Sequence, residues 1–291
     1  SYESVQPVSM GSAGLKYGPD GKVAWGDIWE TFCDLAMAGG PPHKGTLLAP
    51  GSAAAIAAQP DRYQEVTAEI CRGVALTTGL AAQPSTMPGW VRVSCYTEGM
   101  AGWLLRAIVM ENIAARAESR TLDLPAAPAY RLEKEIKNVV TVIAKTCHYW
   151  LGHMPRLQQR AIAAQFAQMA TESPLIEPDM SGDGVRTDGG RRATDRLASL
   201  IQRDTGLREA SHQYEGWLGI DCPNAHAAIW MMRALVVTNI LSRREGTTLF
   251  VPVNPTSDPD GYTVAGAVAQ IYQFAAAKGV VSPVGPLSPE P

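Results

Sequence analysis

The sequence predicts a helix-rich α/β protein made of two pseudo-symmetric halves, each ordered helix–helix–strand–helix–strand–helix. Three observations lead there: a long internal repeat, hydrophobic spacing that alternates between periods of 3.6 and 2, and ample core-forming residues. The repeat is the strongest. Gly89-Trp90 lies over Gly216-Trp217 at a shift of 127 residues (216 minus 89). Cys95 then falls on Cys222, Trp103 on Trp230, Arg106 on Arg233, Asn112 on Asn239, Arg116 on Arg243 and Glu118 on Glu245. From 89 to 125 the two segments share 15 of 37 positions without a gap. Upstream, Thr78-Gly79-Leu80 lies over Thr205-Gly206-Leu207 at the same shift. Phe32 against Phe166 and Pro50 against Pro178 need extra residues in the first half, placed at 39–44. We read this as an internal duplication: an N-terminal segment 1–19, a first α/β repeat 20–150, a second 151–280, and a Pro-rich tail 281–291. Like units most often pack about a twofold axis, as homodimers do.

Residues 27–37 read as a helix, with Ile28, Phe32, Leu35 and Ala36 at helical spacing, stopped by Gly39-Gly40-Pro41-Pro42. A second helix is expected from Asp61 to Thr78, with Val66, Ile70, Val74 and Leu76 inward and Gly79 as its cap. Residues 90–95 alternate as a strand, 98–117 as a long helix with Leu104, Leu105, Ile108, Val109 and Ile113 on its apolar side, and 121–125 as another strand. Residues 131–150 form a third long helix, with Leu132, Ile136, Val139, Val140, Ile143 and Cys147 as its inner stripe. The second half repeats this with strands 217–222 and 248–253 and helices 224–243 and 262–276. Strand, helix, strand predicts a parallel, right-handed crossover. The turn Gly18–Lys22 adds a candidate hairpin.

Hydrophobic residues make up 46% and charged residues 18% of the chain, so disorder is excluded. No apolar run approaches the ~20 residues of a membrane span, so no membrane is expected. A net charge of -3 argues against nucleic acid. The start lacks a basic-then-apolar leader. Five scattered cysteines, with no CxxC pair, argue against a disulfide framework or a structural zinc knuckle. Reduced thiols in a cytoplasmic protein are the expectation.

Cys95 and Cys222 stand at strand ends just before helices, where open α/β sheets place ligands and where a helix N-terminus stabilises a thiolate. They are candidate nucleophiles; the plain alternative is a small buried residue. Arg106, Arg233, Asn112 and Asn239 are candidate anion-binding residues, because guanidinium groups hold carboxylate or phosphate by paired contacts. The alternative is structural: the repeated arginines, Arg116 and Arg243 among them, to a C-terminal carbonyl or to Glu118 and Glu245, and the asparagines capping turns. Lys44, in a Gly-rich stretch with His43, is a further candidate; its order Lys-Gly-Thr rejects the phosphate-loop motif. Residues 181–192 read as a solvated loop or a lid, and their acids do not match calcium-loop spacing. His43, His148 and His226 are candidate acid–base groups. No HExxH or Cys pair supports zinc, so no metal site is expected and the cofactor is unknown. Serine-hydrolase and dinucleotide motifs are missing.

Two functions compete. One is a cytoplasmic enzyme acting on a small anionic metabolite in a cleft between the halves, its reaction type open. The other is a non-catalytic assembly or carrier protein that binds a partner protein or a cofactor; a homodimer is an allowed assembly. Seven tryptophans and ten methionines supply apolar surface, but repeat-equivalent Trp90/Trp217 and Trp103/Trp230 are expected in the core.

Overall fold

A computed structural model describes residues 15–26, 45–180 and 188–281. The expected helix 27–37, the Gly-Gly-Pro-Pro stretch with His43 and Lys44, the segment 181–187 and the tail after residue 281 lie outside them. The chain divides into two compact units, Ser1–Gln168 and Met169–Pro291.

In the first unit, α1 (Ala53–Ala58) starts where the Ser52 side chain accepts the Ala55 N–H. Helix α2 (Pro60–Thr78) begins on a proline and ends on Gly79 at φ 72°. Val66, Ile70 and Val74 share a buried face; Leu76, expected inward, is off that face and 55% exposed. Next come β1 (Ala82–Pro84), β2 (Trp90–Ser94), α3 (Glu98–Val109), β3 (Arg116–Glu118) and β4 (Thr121–Pro125). The expected helix 98–117 therefore stops early. Asn112 takes φ 63°, a left-handed conformation that no helix continues through, and β3 follows. Helix α4 (Lys137–His148) is flanked by π-helical turns Leu132–Ile136 and Tyr149–His153. Helix α5 (Arg156–Glu172), most of it in this unit, carries Phe166, the residue set against Phe32 of the expected first helix.

The sheet order is β1-β2-β4-β3, every neighbouring pair antiparallel. This corrects the expected parallel pairing of 90–95 with 121–125. The two strands do lie side by side, but they run in opposite directions. Because β3 and β2 are both antiparallel to β4, they point the same way, so α3 links two like-directed strands with β4 inserted between them. This is a split βαβ arrangement. The three-residue strand β3 carried too weak an alternation to be seen in the sequence.

The second unit repeats the order with α6 (Asp188–Thr205), β5 (Arg208–Glu209), β6 (Trp217–Asp221), α7 (Ala225–Val237), β7 (Arg243–Glu245), β8 (Thr248–Pro252) and α8 (Tyr262–Ala277), in a sheet β5-β6-β8-β7. Residues 188–192, read from sequence as loop, open α6; the expected helix 224–243 ends at Val237 for the reason given at Asn112, since Asn239 has φ 67°. The gapped upstream alignment is matched in space. Leu48 bridges Ile113 in one unit and Ile176 bridges Ile240 in the other. A Cβ on Gly89 (φ 89°) would meet Pro50 at 3.0 Å, and one on Gly216 (φ 70°) would meet Pro178 at 3.0 Å.

The halves differ inside the sheet. Arg92 faces Asp123 across β2–β4 and donates two hydrogen bonds of 2.8 Å to its carboxylate. At the same register in the second unit, Gly219 faces Phe250, whose ring lies 2.9 Å from where a Gly219 Cβ would stand. An ion pair in one sheet is replaced by an aromatic ring over a glycine in the other. Among the described residues no helix is long and apolar enough to cross a membrane.

Candidate functional site

The repeated polar residues sit largely in structural roles. Asn112 and Asn239 terminate the turns after α3 and α7 and tie down the chain that leads into each unit. Asn112 Nδ2 donates to the Gly45 carbonyl at 3.0 Å, and Asn239 Nδ2 to the Ser173 carbonyl at 2.7 Å. Their carbonyls accept from Leu48 and Ile176. Arg243 is fully buried, its guanidinium carbon 4.0 Å from the Phe250 centroid, 4.4 Å from Tyr214 and 5.1 Å from Trp217, and it pairs with Glu245 at 2.6 Å. Burial pulls its pKa down, against the Glu245 contact that raises it. Arg116 lies 5.3 Å from the Trp90 ring.

Cys95 and Cys222 are at strand ends as expected, and buried at 7% exposure each. Burial pushes both thiols up to about 12, and Cys147 likewise. The thiolate that a nucleophile needs is therefore disfavoured. Desolvation is the largest cause at both positions.

Arg106 and Arg233 share a repeat position but not an environment. Arg106 is 8% exposed; it donates to the Gly102 carbonyl at 2.7 Å and stacks on Phe166 of α5 at 4.0 Å. A Cβ on Gly99 would meet the Ala163 Cβ at 2.6 Å, so α5 lies close against α3 there. On α7 the equivalents of Gly99, Gly102 and Met110 are His226, Ile229 and Val237. His226 and Arg233 are exposed, and Val237 is 67% exposed.

These α7 residues line an open groove of about 740 Å³ between α7 and α8. Its wall and floor are mainly apolar, with Ile229, Trp230, Val237, Ile271 and Phe274 contributing. Its polar groups include His226, Arg233, Gln270 and Lys278. An apolar wall with a few cationic points suits an amphipathic ligand. Of the residues expected to carry function, His226 and Arg233 are brought together here. Trp230, expected in the core, is half-buried and belongs to the wall. The sequence signal for this groove lay in Val237 and Phe274, apolar residues off the buried faces of their helices.

His148 is on α4, half-buried, its ring nitrogen 3.1 Å from that of His153. Among the described residues no group of three or more His, Cys, Asp or Glu side chains converges as a metal site would require. Compared with protein-family models, curated proteins and solved structures, the chain matches none.

Proposed function

We propose that the protein is a non-catalytic binding protein whose α7–α8 groove takes an amphipathic helix of a partner protein. One observation carries this reading: the contrast between equivalent helix faces. On α3 the face bearing Arg106 is covered by a helix that places Phe166 over the guanidinium. On α7 the same face bears Arg233 exposed above an apolar groove. Helix-in-groove recognition uses an apolar stripe of this kind, and a cation over an aromatic ring adds to it. His226 and Ile229 replace the glycines that let α5 approach, so the partner helix stands further off and is held through side chains.

The test is NMR of the full chain, reading the Trp230 indole signal, with a synthetic peptide of the α5 sequence (residues 156–172) as the probe. Saturable movement of that signal is expected. Phe166→Ala in the peptide, or Arg233→Glu in the protein, should weaken binding about fivefold, the worth of an exposed cation–π contact. A signal that stays still at millimolar peptide defeats the reading.

A second reading, an enzyme for a small anionic metabolite, is favoured by the presence of His226, Arg233 and Lys278 around one groove. In that reading Arg233 and Lys278 hold the anionic head, and His226 moves a proton. Titration with a medium-chain carboxylate separates the two: it shifts Trp230 and weakens with Arg233→Gln only if a small anion is the ligand.

A further inference from the structure

Helix α4 does not end as an ordinary α-helix. The turn that follows it, Tyr149–His153, is π-helical, and the Met154 N–H donates to the Tyr149 carbonyl, five residues back, at 3.0 Å. Such a turn brings residues i and i+5 onto one face, and single π-turns recur at functional sites. His148 and His153 have that spacing. Their Nε2 atoms are 3.1 Å apart, with ring centroids at 4.9 Å and planes inclined by 65°.

That separation has a chemical meaning. Zinc–imidazole bonds are about 2.0–2.1 Å long, so two of them meeting at a right or tetrahedral angle set the nitrogens about 2.9–3.4 Å apart. The observed distance falls within this span. Tyr149 stacks along the His153 ring (6.1 Å, 27°) and against Trp103 (5.7 Å, 8°), which holds the turn in place. Tyr149, Gly152 and His153 are exposed, so coordination positions beyond the two rings face solvent.

We propose that His148 and His153 form a two-histidine chelate for a divalent first-row transition ion such as Cu²⁺ or Zn²⁺, with water or a small anion in the remaining positions. Imidazole suits both ions. Without the ion, one ring donates its Nε2–H to the other ring's Nε2. On binding, that proton moves to Nδ1 of its own ring, so both Nε2 lone pairs reach the metal and no net proton is released. The sequence led to the opposite expectation, because it sought the three or four ligands of a resident zinc site. The chelate has two, so it is an exchangeable site.

The experiment is calorimetric titration of the tag-free full chain with CuCl₂ and, separately, ZnCl₂. One ion per chain is expected, with copper the tighter. His148→Ala or His153→Ala should each weaken binding at least tenfold, whereas His212→Ala, on a histidine whose ring packs edge-on against Tyr214, leaves it unchanged. Copper should also quench the fluorescence of the wild-type chain more than that of His153→Ala, since Trp103 and Trp150 adjoin the turn. Should His148→Ala fail to fold, His153→Gln at the exposed position carries the test. No binding at millimolar metal, or binding that survives removal of both imidazoles, overturns the proposal.

Discussion

The Arg106 guanidinium lies 4.0 Å from the Phe166 ring centroid, while its repeat counterpart Arg233 is exposed on the equivalent helix face. The α3–α5 contact should therefore be sensitive to bulk. Gly99→Ala brings a methyl group to 2.6 Å from Ala163, which outweighs the helix-propensity gain. A loss of about 1–3 kcal/mol is expected. Phe166→Ala should cost about 1–2 kcal/mol through lost apolar burial and the cation–π contact. On α7, His226→Ala should stay within about 0.5 kcal/mol. Urea midpoints at constant slope check all three.

Asn112 and Asn239 combine a left-handed backbone with a side-chain bond to the incoming chain. Replacement by alanine adds backbone strain and leaves a carbonyl without this donor. We expect a cost of about 2–3 kcal/mol for each. Glycine relieves the strain and should recover about 1 kcal/mol of it. Equal stability of the alanine and glycine variants would show that the backbone conformation carries no weight.

The thiols set an alkaline limit. Burial raises Cys95, Cys147 and Cys222 from 9.0 to about 12. A group whose folded pKa is raised supports folding in full below its unfolded value and loses that support as pH climbs towards the folded value. Stability should thus fall between about pH 9 and 12, with Cys95→Ser, Cys147→Ser and Cys222→Ser removing part of the slope. Iodoacetamide at pH 8 should label these three slowly in the folded protein and readily in urea. Rapid labelling of Cys95 or Cys222 in the native state would restore them as nucleophile candidates.

Arg243, enclosed by three aromatic rings and paired with Glu245, should tolerate little. Arg243→Ala leaves a cavity and a carboxylate without its cation, for about 3–5 kcal/mol. Arg243→Met fills the space and should cost less. Arg243→Lys should not rescue, because an ammonium lacks the flat face that lies on the rings. Thermal melts of the three variants give the order.

The repeat made much of the fold legible in the sequence. Strands around Trp90 and Trp217, the helix Pro60–Thr78 and the Gly79 cap are where alternation, helical spacing and a left-handed glycine place them. The structural alternative for the repeated arginines and asparagines was visible as well: Arg243 and both asparagines make structural contacts, while Arg233 is not covered as Arg106 is. Sheet direction was not legible. Spacing along the chain says that two segments are strands, but β3, three residues long, decides which of them α3 connects in parallel.

By itself, the sequence determined the main strands and helices of each half, the correspondence between the halves and a net charge near zero, because these follow from residue order and composition. The tertiary structure decided the rest. Exposure separates Arg106 from Arg233, burial raises the pKa of the strand-end thiols, and a π-turn unites His148 with His153. The physical reason is common to all three. Dielectric environment and side-chain convergence depend on which surfaces meet in space, so even identical residues at equivalent repeat positions, as Arg106 and Arg233, can meet different ones.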